Sequence, residues 1–123
     1  MNAQPGVPTI DVRTAAARLE AIDAPPMLVD VREVNEFLDV RAPGAVLMPL
    51  SSFPMRFREL PTDRLLLVIC HVGGRSLAAA AHLMASGYPD VANVAGGMAA
   101  WEQAGLPTRH GPVAPGEGDL PTT

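Results

Sequence analysis

Apolar positions along this chain fall into two alternating patterns. Short continuous apolar runs occur at Met27-Leu28-Val29-Asp30-Val31, Ala45 to Met48, Leu65 to Ile69 and Val91 to Val94. Runs of this length, bounded by turn residues, predict strands, and five consecutive apolar residues at 65–69 suit a strand covered on both faces. Between them lie segments with helical spacing. Asp11 is placed to cap a helix running to about Ile22, with Ala15, Leu19 and Ile22 inward, and Pro25-Pro26 breaks it. Glu33 to about Leu38 predicts a short helix with Val34, Phe37 and Leu38 on one side. Ser51 or Ser52 opens another, with Pro54 in its first turn and Phe53, Phe57 and Leu60 inward. Leu77 to Ser86 and Met98 to Ala104 complete the set, closed by Gly87 and by Gly105 with Pro107. With Thr9-Ile10 as a further short extended piece, strands alternate with helices. The fold class is α/β, with a mainly parallel central sheet of about five strands and helices on both faces.

Composition narrows the function. The 123 residues suffice for one domain with one ordinary core. Aromatic residues are only 4 %, so Leu, Val, Ile, Ala and Met must build most of that core. All nine basic residues are arginine, scattered against a formal net charge of −4, so no basic footprint for nucleic acid is expected. Met1 to Ile10 lack the basic start and apolar run of an export signal, and no stretch approaches the roughly 20 apolar residues of a membrane span. A single cysteine, Cys70, excludes an internal disulfide and a thiolate-cluster zinc site. A soluble protein of a reducing compartment, cytoplasmic in location, is the expectation.

Cys70 is also where chemistry converges. It follows the most apolar strand and precedes a helix, the position at which open parallel sheets build their sites. In Cys70-His71-Val72-Gly73-Gly74-Arg75-Ser76, the two glycines let the loop curl so that successive N–H groups point inward. Such a nest, with a helix N-terminus behind it, stabilises an anion and lowers a thiol pKa. Arg75 adds a fixed positive charge. The alternative for Cys70 is an inert buried thiol, since free cysteine is among the most buried residues. Of the remaining residues, Asp30, Arg32 and Glu36 read as a buried polar network under the loop, and Gly96-Gly97 as close packing beneath it. Trp101 reads as a core or rim aromatic, and His82 and His110 as solvated or locally satisfied. His71, inside the loop, could tune the thiolate or touch substrate. Arg56 and Arg58 read as a solvated helix face.

Four stretches then carry a family resemblance. They are Leu28 to Glu33 with Glu36-Phe37; Pro43-Gly44-Ala45 with Pro49-Leu50; Cys70 to Ser76; and Val94 to Met98 with Trp101 and Gly105-Leu106-Pro107. Together, in this order and spacing, they resemble a rhodanese-like domain over about residues 8–108, leaving 109–123 as a flexible Pro/Gly-rich tail. The resemblance implies a sulfurtransferase. Cys70 would be the catalytic, sulfur-carrying residue; His71, Val72, Gly73, Gly74, Arg75 and Ser76 would bind substrate; Asp30 and Arg32 would support them. It implies no metal and no cofactor. Partners would be a small sulfur-containing anion such as thiosulfate and a thiol or cyanide acceptor, with a protein sulfur acceptor possible, and neither nucleic acid nor membrane. A persulfide carrier that docks to a partner is the second reading. A Cys-dependent phosphatase or arsenate reductase is a third, opposed by loop length: related enzymes of that kind have one more residue between Cys and Arg, where Cys70 and Arg75 have four. Arg41 stands where relatives often carry histidine, two residues before the Pro-Gly-Ala turn.

Overall fold

The computed structural model describes residues 6–121. The elements are β1 (Thr9–Ile10), α1 (Val12–Leu19), β2 (Met27–Asp30), α2 (Val34–Asp39), β3 (Val46–Leu47), α3 (Phe53–Arg56), β4 (Leu66–Ile69), α4 (Gly74–Ala85), β5 (Val91–Val94) and α5 (Gly97–Gln103). A 3-10 turn, Phe57–Glu59, continues α3. The five strands form one sheet in the order β1-β5-β4-β2-β3, and every pairing is parallel. Among the described residues, no helix is long and apolar enough to cross a membrane.

The period-two alternation of strand side chains divides the core between the two faces. Leu66, Val68 and Cys70 point to one side, with Val29 and Val31, against Phe53, Phe57 and the α4 residues Ala79, Ala80 and Leu83. Leu67 and Ile69 point to the other, with Leu28 and Val94, against Val12, Ala15, Phe37, Met98 and Trp101 of α1, α2 and α5. β4, at the middle of the sheet, is therefore buried on both faces. Its carboxyl end opens between β2 and β5, and that is where Cys70 lies.

Several expectations are corrected. Helix α1 stops at Leu19, and Ile22 is 94 % exposed rather than inward. Pro25 disfavours helical backbone at Ala24, which lies at φ +50°, and the residues after Glu20 return the chain to β2. In α2 only Phe37 turns fully inward, because six residues present one inward position; Val34 and Leu38 remain exposed. α4 begins at Gly74 rather than Leu77. Gly73 makes the reversal at φ +114°, so Gly74, Arg75 and Ser76 already form the first helical turn.

The C-terminal segment, expected to be a loose tail, is anchored over its described part; residues 122 and 123 lie outside the described residues. Arg41 and Arg109 exchange backbone hydrogen bonds of 2.9 and 2.8 Å. The Arg41 side chain, 1 % exposed, donates Nε to Glu117 at 2.6 Å and further N–H groups to the carbonyls of Phe37 and Gly111. The Gly118 carbonyl accepts from the Leu47 N–H at 2.8 Å. A buried guanidinium must find acceptors, and this segment brings them. The position where the sequence departs from its resemblance is thus a structural anchor.

Candidate active site

The site is built on the backbone between β4 and α4. Cys70 is the first residue beyond β4 and is 1 % exposed. Its Sγ accepts a hydrogen bond from the Gly73 N–H at 3.0 Å, and the Ser76 Oγ lies 3.3 Å away. Burial pushes the Cys70 thiol pKa up, but the Ser76 hydroxyl and the N–H groups of Ser76, Gly73 and Val72 outweigh it. The net direction is down from the ordinary thiol value.

Those N–H groups face the sulfur because the carbonyls of the loop are held elsewhere. The first turn of α5 donates Met98 N–H to the Cys70 carbonyl at 2.7 Å and Ala99 N–H to the His71 carbonyl at 2.9 Å. Gly97, at φ +56°, lies so close beneath those two carbonyls that any Cβ there would collide with them. Gly97 therefore packs under the loop, where a side chain would push the loop away from α5; a Cβ at Gly96 would instead collide with the Ala100 side chain one turn along α5.

Arg75 turns to α2 rather than to the sulfur. Its guanidinium grips Glu36 with both terminal nitrogens, Nη1 and Nη2, at 2.7 and 2.8 Å. That grip is the main reason the Glu36 pKa falls to about 2 and the Arg75 pKa rises further above its ordinary value. Asp30 and Arg32 form a second, fully buried pair: Arg32 Nη2 meets Asp30 Oδ2 at 2.8 Å and the Val40 carbonyl at 2.6 Å. Arg32 Nη1 donates to the Glu36 carbonyl at 3.2 Å, so the two pairs meet at α2.

The remaining positions separate clearly. Val72 is exposed at the loop tip. His71 lines a cleft of about 300 Å³ with Arg32, Glu36, Asp39, Glu102 and His110. His82 rests its ring edge on Phe57 with centroids 4.5 Å apart, and His110 meets the Asp39 carbonyl through Nδ1 at 3.0 Å. Trp101 is buried and donates to the Pro107 carbonyl at 2.7 Å. Arg56 pairs with Glu59 on the exposed surface.

Two features of the site escape the sequence reading. One is the Arg75–Glu36 pair, whose partners are 39 residues apart. The other is Asn93, buried in β5, whose Oδ1 is 2.6 Å from the Ser76 Oγ. A lone amide inside the apolar run Val91-Ala92-Asn93-Val94 was the available signal.

Comparison with known proteins places this geometry. The family model described as Rhodanese-like domain matches residues 11–104. A protein named Sulfurtransferase from Allochromatium vinosum is 41 % identical over 81 residues, which is 66 % of this chain and 76 % of that protein. The thiosulfate sulfurtransferase GlpE of Vibrio cholerae is 35 % identical over 98 residues, covering 80 % of this chain and 91 % of GlpE. The crystal structure of a thiosulfate sulfurtransferase from Pseudomonas aeruginosa superimposes with a TM-score of 0.77 at 25 % identity, over 87 % of this chain and 21 % of that one. The parallel sheet, the loop after β4 and the family match agree, and the chain belongs to the rhodanese-like domain family.

Proposed function

We propose that this protein is a sulfurtransferase that carries sulfur as a persulfide on Cys70. The observation that carries the reading is the Cys70 sulfur, set among N–H donors at the carboxyl end of the central strand. An inert core thiol has no need of such donors; a sulfur anion does. Membership of a family that includes the sulfurtransferases above supports the same reading.

In the first step the Cys70 thiolate attacks the outer sulfur of a donor such as thiosulfate. A Cys70 S–S bond forms, the S–S bond of the donor breaks, and sulfite leaves with the electron pair. In the second, cyanide or a thiol attacks the terminal sulfur, and the Cys70 thiolate is regenerated. This is covalent catalysis with ping-pong kinetics. The N–H groups of Val72, Gly73 and Ser76 hold negative charge in both states. Gly74 starts α4, and His71 faces the cleft beside the loop. Arg75, through Glu36, ties the loop to α2, and Asp30 with Arg32 supports α2 from below. Four residues between Cys70 and Arg75 suit a single sulfur atom better than a tetrahedral phosphate. A thiol that must cycle as an anion suits a reducing compartment such as the cytoplasm.

Intact-mass measurement tests this directly. Thiosulfate should add one sulfur to the wild-type chain, and cyanide should remove it as thiocyanate. Absence of the adduct, or its presence in Cys70→Ser, overturns the reading. An adduct that only a protein thiol can discharge would make the chain a sulfur carrier. Faster hydrolysis of an aryl phosphate than formation of thiocyanate would make it a phosphatase.

A further inference from the structure

We propose that Asn93 is a positioning residue for Cys70 that acts through Ser76: the orientation of its side-chain amide decides whether the single hydroxyl proton of Ser76 reaches the sulfur. The proposal rests on the reading of Cys70 as a functional thiolate.

The argument is a count of protons. The Ser76 Oγ is fully buried and has three acceptors in reach: Asn93 Oδ1 at 2.6 Å, the Gly73 carbonyl at 3.2 Å and Cys70 Sγ at 3.3 Å. A hydroxyl donates one proton. In the arrangement seen, Asn93 Oδ1 is the nearest of the three and competes with the sulfur for that proton. The oxygen and nitrogen of a carboxamide occupy nearly equivalent positions, so a half-turn exchanges them. With its NH2 toward Ser76, Asn93 becomes the donor. The Ser76 oxygen then accepts from Asn93 and passes its own proton toward the sulfur. The result is a chain from the Asn93 Nδ2–H through the Ser76 hydroxyl to the sulfur anion, in which each bond strengthens the next.

The setting explains why the residue is an amide. Asn93 pairs with Val68 of β4 and Thr9 of β1, and its backbone N–H donates to the Pro8 carbonyl at 2.8 Å. Backbone pairing is complete without the side chain, and Val91, two residues earlier, belongs to the apolar core. A valine at 93 would continue that core, whereas a buried amide costs free energy unless it is hydrogen-bonded. The adaptable donor and acceptor pair is what Asn93 adds. The charged groups around this corner are Arg75 with Glu36, and Asp30 with Arg32; His71 follows Cys70 in the loop. None of these lies on β5, so exchanging Asn93 leaves them in place.

The test follows the side-chain amide of Asn93 by nitrogen-15 NMR through the titration of Cys70, with iodoacetamide reactivity measured on the same samples. The amide resonances should move with the alkylation midpoint. In Ser76→Ala most of that movement should vanish, although Cys70 still titrates. Asn93→Asp offers an acceptor-only carboxylate of the same shape. It should raise the alkylation midpoint by about one unit, a tenfold loss of thiolate at a given pH, and by much less in the Ser76→Ala background. Amide resonances that stay still through the Cys70 titration overturn the proposal. So does movement fully retained in Ser76→Ala, or an Asn93→Asp effect of equal size with and without the hydroxyl, which would be direct charge repulsion. Sulfur loading of the wild-type chain is read separately by mass, so failure of this relay and failure of the persulfide reading are distinguishable.

Discussion

The loop from Cys70 to Ser76 and the C-terminal segment from 109 to 121 are both glycine-bearing and both lie outside the strands. Each is tied to the domain by an arginine that grips a distant glutamate: Arg75 with Glu36, Arg41 with Glu117. Their purposes differ. In the loop, the backbone itself is the proposed working part. Its N–H groups face the sulfur, α5 holds its carbonyls from beneath, and Arg75 fastens it from the side at a partly exposed pair. In the C-terminal segment, the buried guanidinium of Arg41 is the centre, and the backbone supplies acceptors to it. One segment is ordered around a place for negative charge, the other around a positive charge that had to be buried. The same type of ion pair is therefore an accessory in the first and the reason for order in the second.

The sharpest separation comes from Cys70→Ser. Thiocyanate formation from thiosulfate and cyanide should fall on the order of a thousandfold or more, to background. Stability in urea should change by less than about 1 kcal/mol, because the exchange is nearly isosteric. A large loss of stability would mean that the sulfur is a core atom first.

Arg41→Ala should do the reverse. Removing a buried, multiply bonded guanidinium should cost about 3 kcal/mol of unfolding free energy. The alkylation midpoint of Cys70 should stay where it is. A shifted midpoint in protein that is still folded would show the two regions to be coupled and break the comparison.

Arg75→Ala should sit between these. Its ion pair is about one-third exposed, 35 % and 29 % for the two side chains, so the stability cost should be about 1 kcal/mol. Sulfur transfer should drop several-fold as the loop loosens from α2. The thiol midpoint should rise only modestly, because the backbone donors remain.

Acid gives the smallest effect and the finest distinction. Glu36 and Glu117 both have pKa values of about 2 in the folded chain, below the ordinary 4.5, chiefly through their hydrogen bonds to Arg75 and Arg41. A depressed carboxylate stabilises the fold at pH values above its unfolded pKa. That contribution should fade as pH falls from about 4.5 toward 2. Urea midpoints at pH 6 and pH 3 should differ less in Arg75→Ala and in Arg41→Ala than in the wild-type chain, each variant losing one carboxylate's share.

How much of this could be read in advance depends on range along the chain. The sheet was readable because Leu65 to Ile69 is apolar without interruption, and the loop because Cys70, Gly73, Gly74 and Arg75 lie within six residues. The anchoring of the last segment was not. Its four prolines and three glycines from Pro107 onward signal irregular backbone, and nothing local announces that Glu117 meets an arginine 76 residues earlier. Ile22 misled because helical spacing continues past the point where Pro25 already requires the chain to have turned. Arg75 is legible as the charge that follows the two glycines, but it stands in the first turn of α4, and sequence proximity groups its partner Glu36 with Asp30 and Arg32, which hides a pair formed across two helices. Asn93 went unremarked because one polar residue in a four-residue strand is weak evidence until the Ser76 hydroxyl is seen beside it.

The hydrogen bond from the Leu47 N–H to the Gly118 carbonyl has a consequence for behaviour in crowded solution. β3 is an outer strand of the sheet, and an outer strand with free N–H and C=O groups invites pairing with another chain. Here the returning segment already occupies one of those groups and lays Gly118 against Phe37. A chain cut before residue 109 would keep its loop and its cysteine while uncovering that edge, together with the Arg41 guanidinium. Self-association and loss from solution during expression would then mark the truncated protein before any loss of chemistry did.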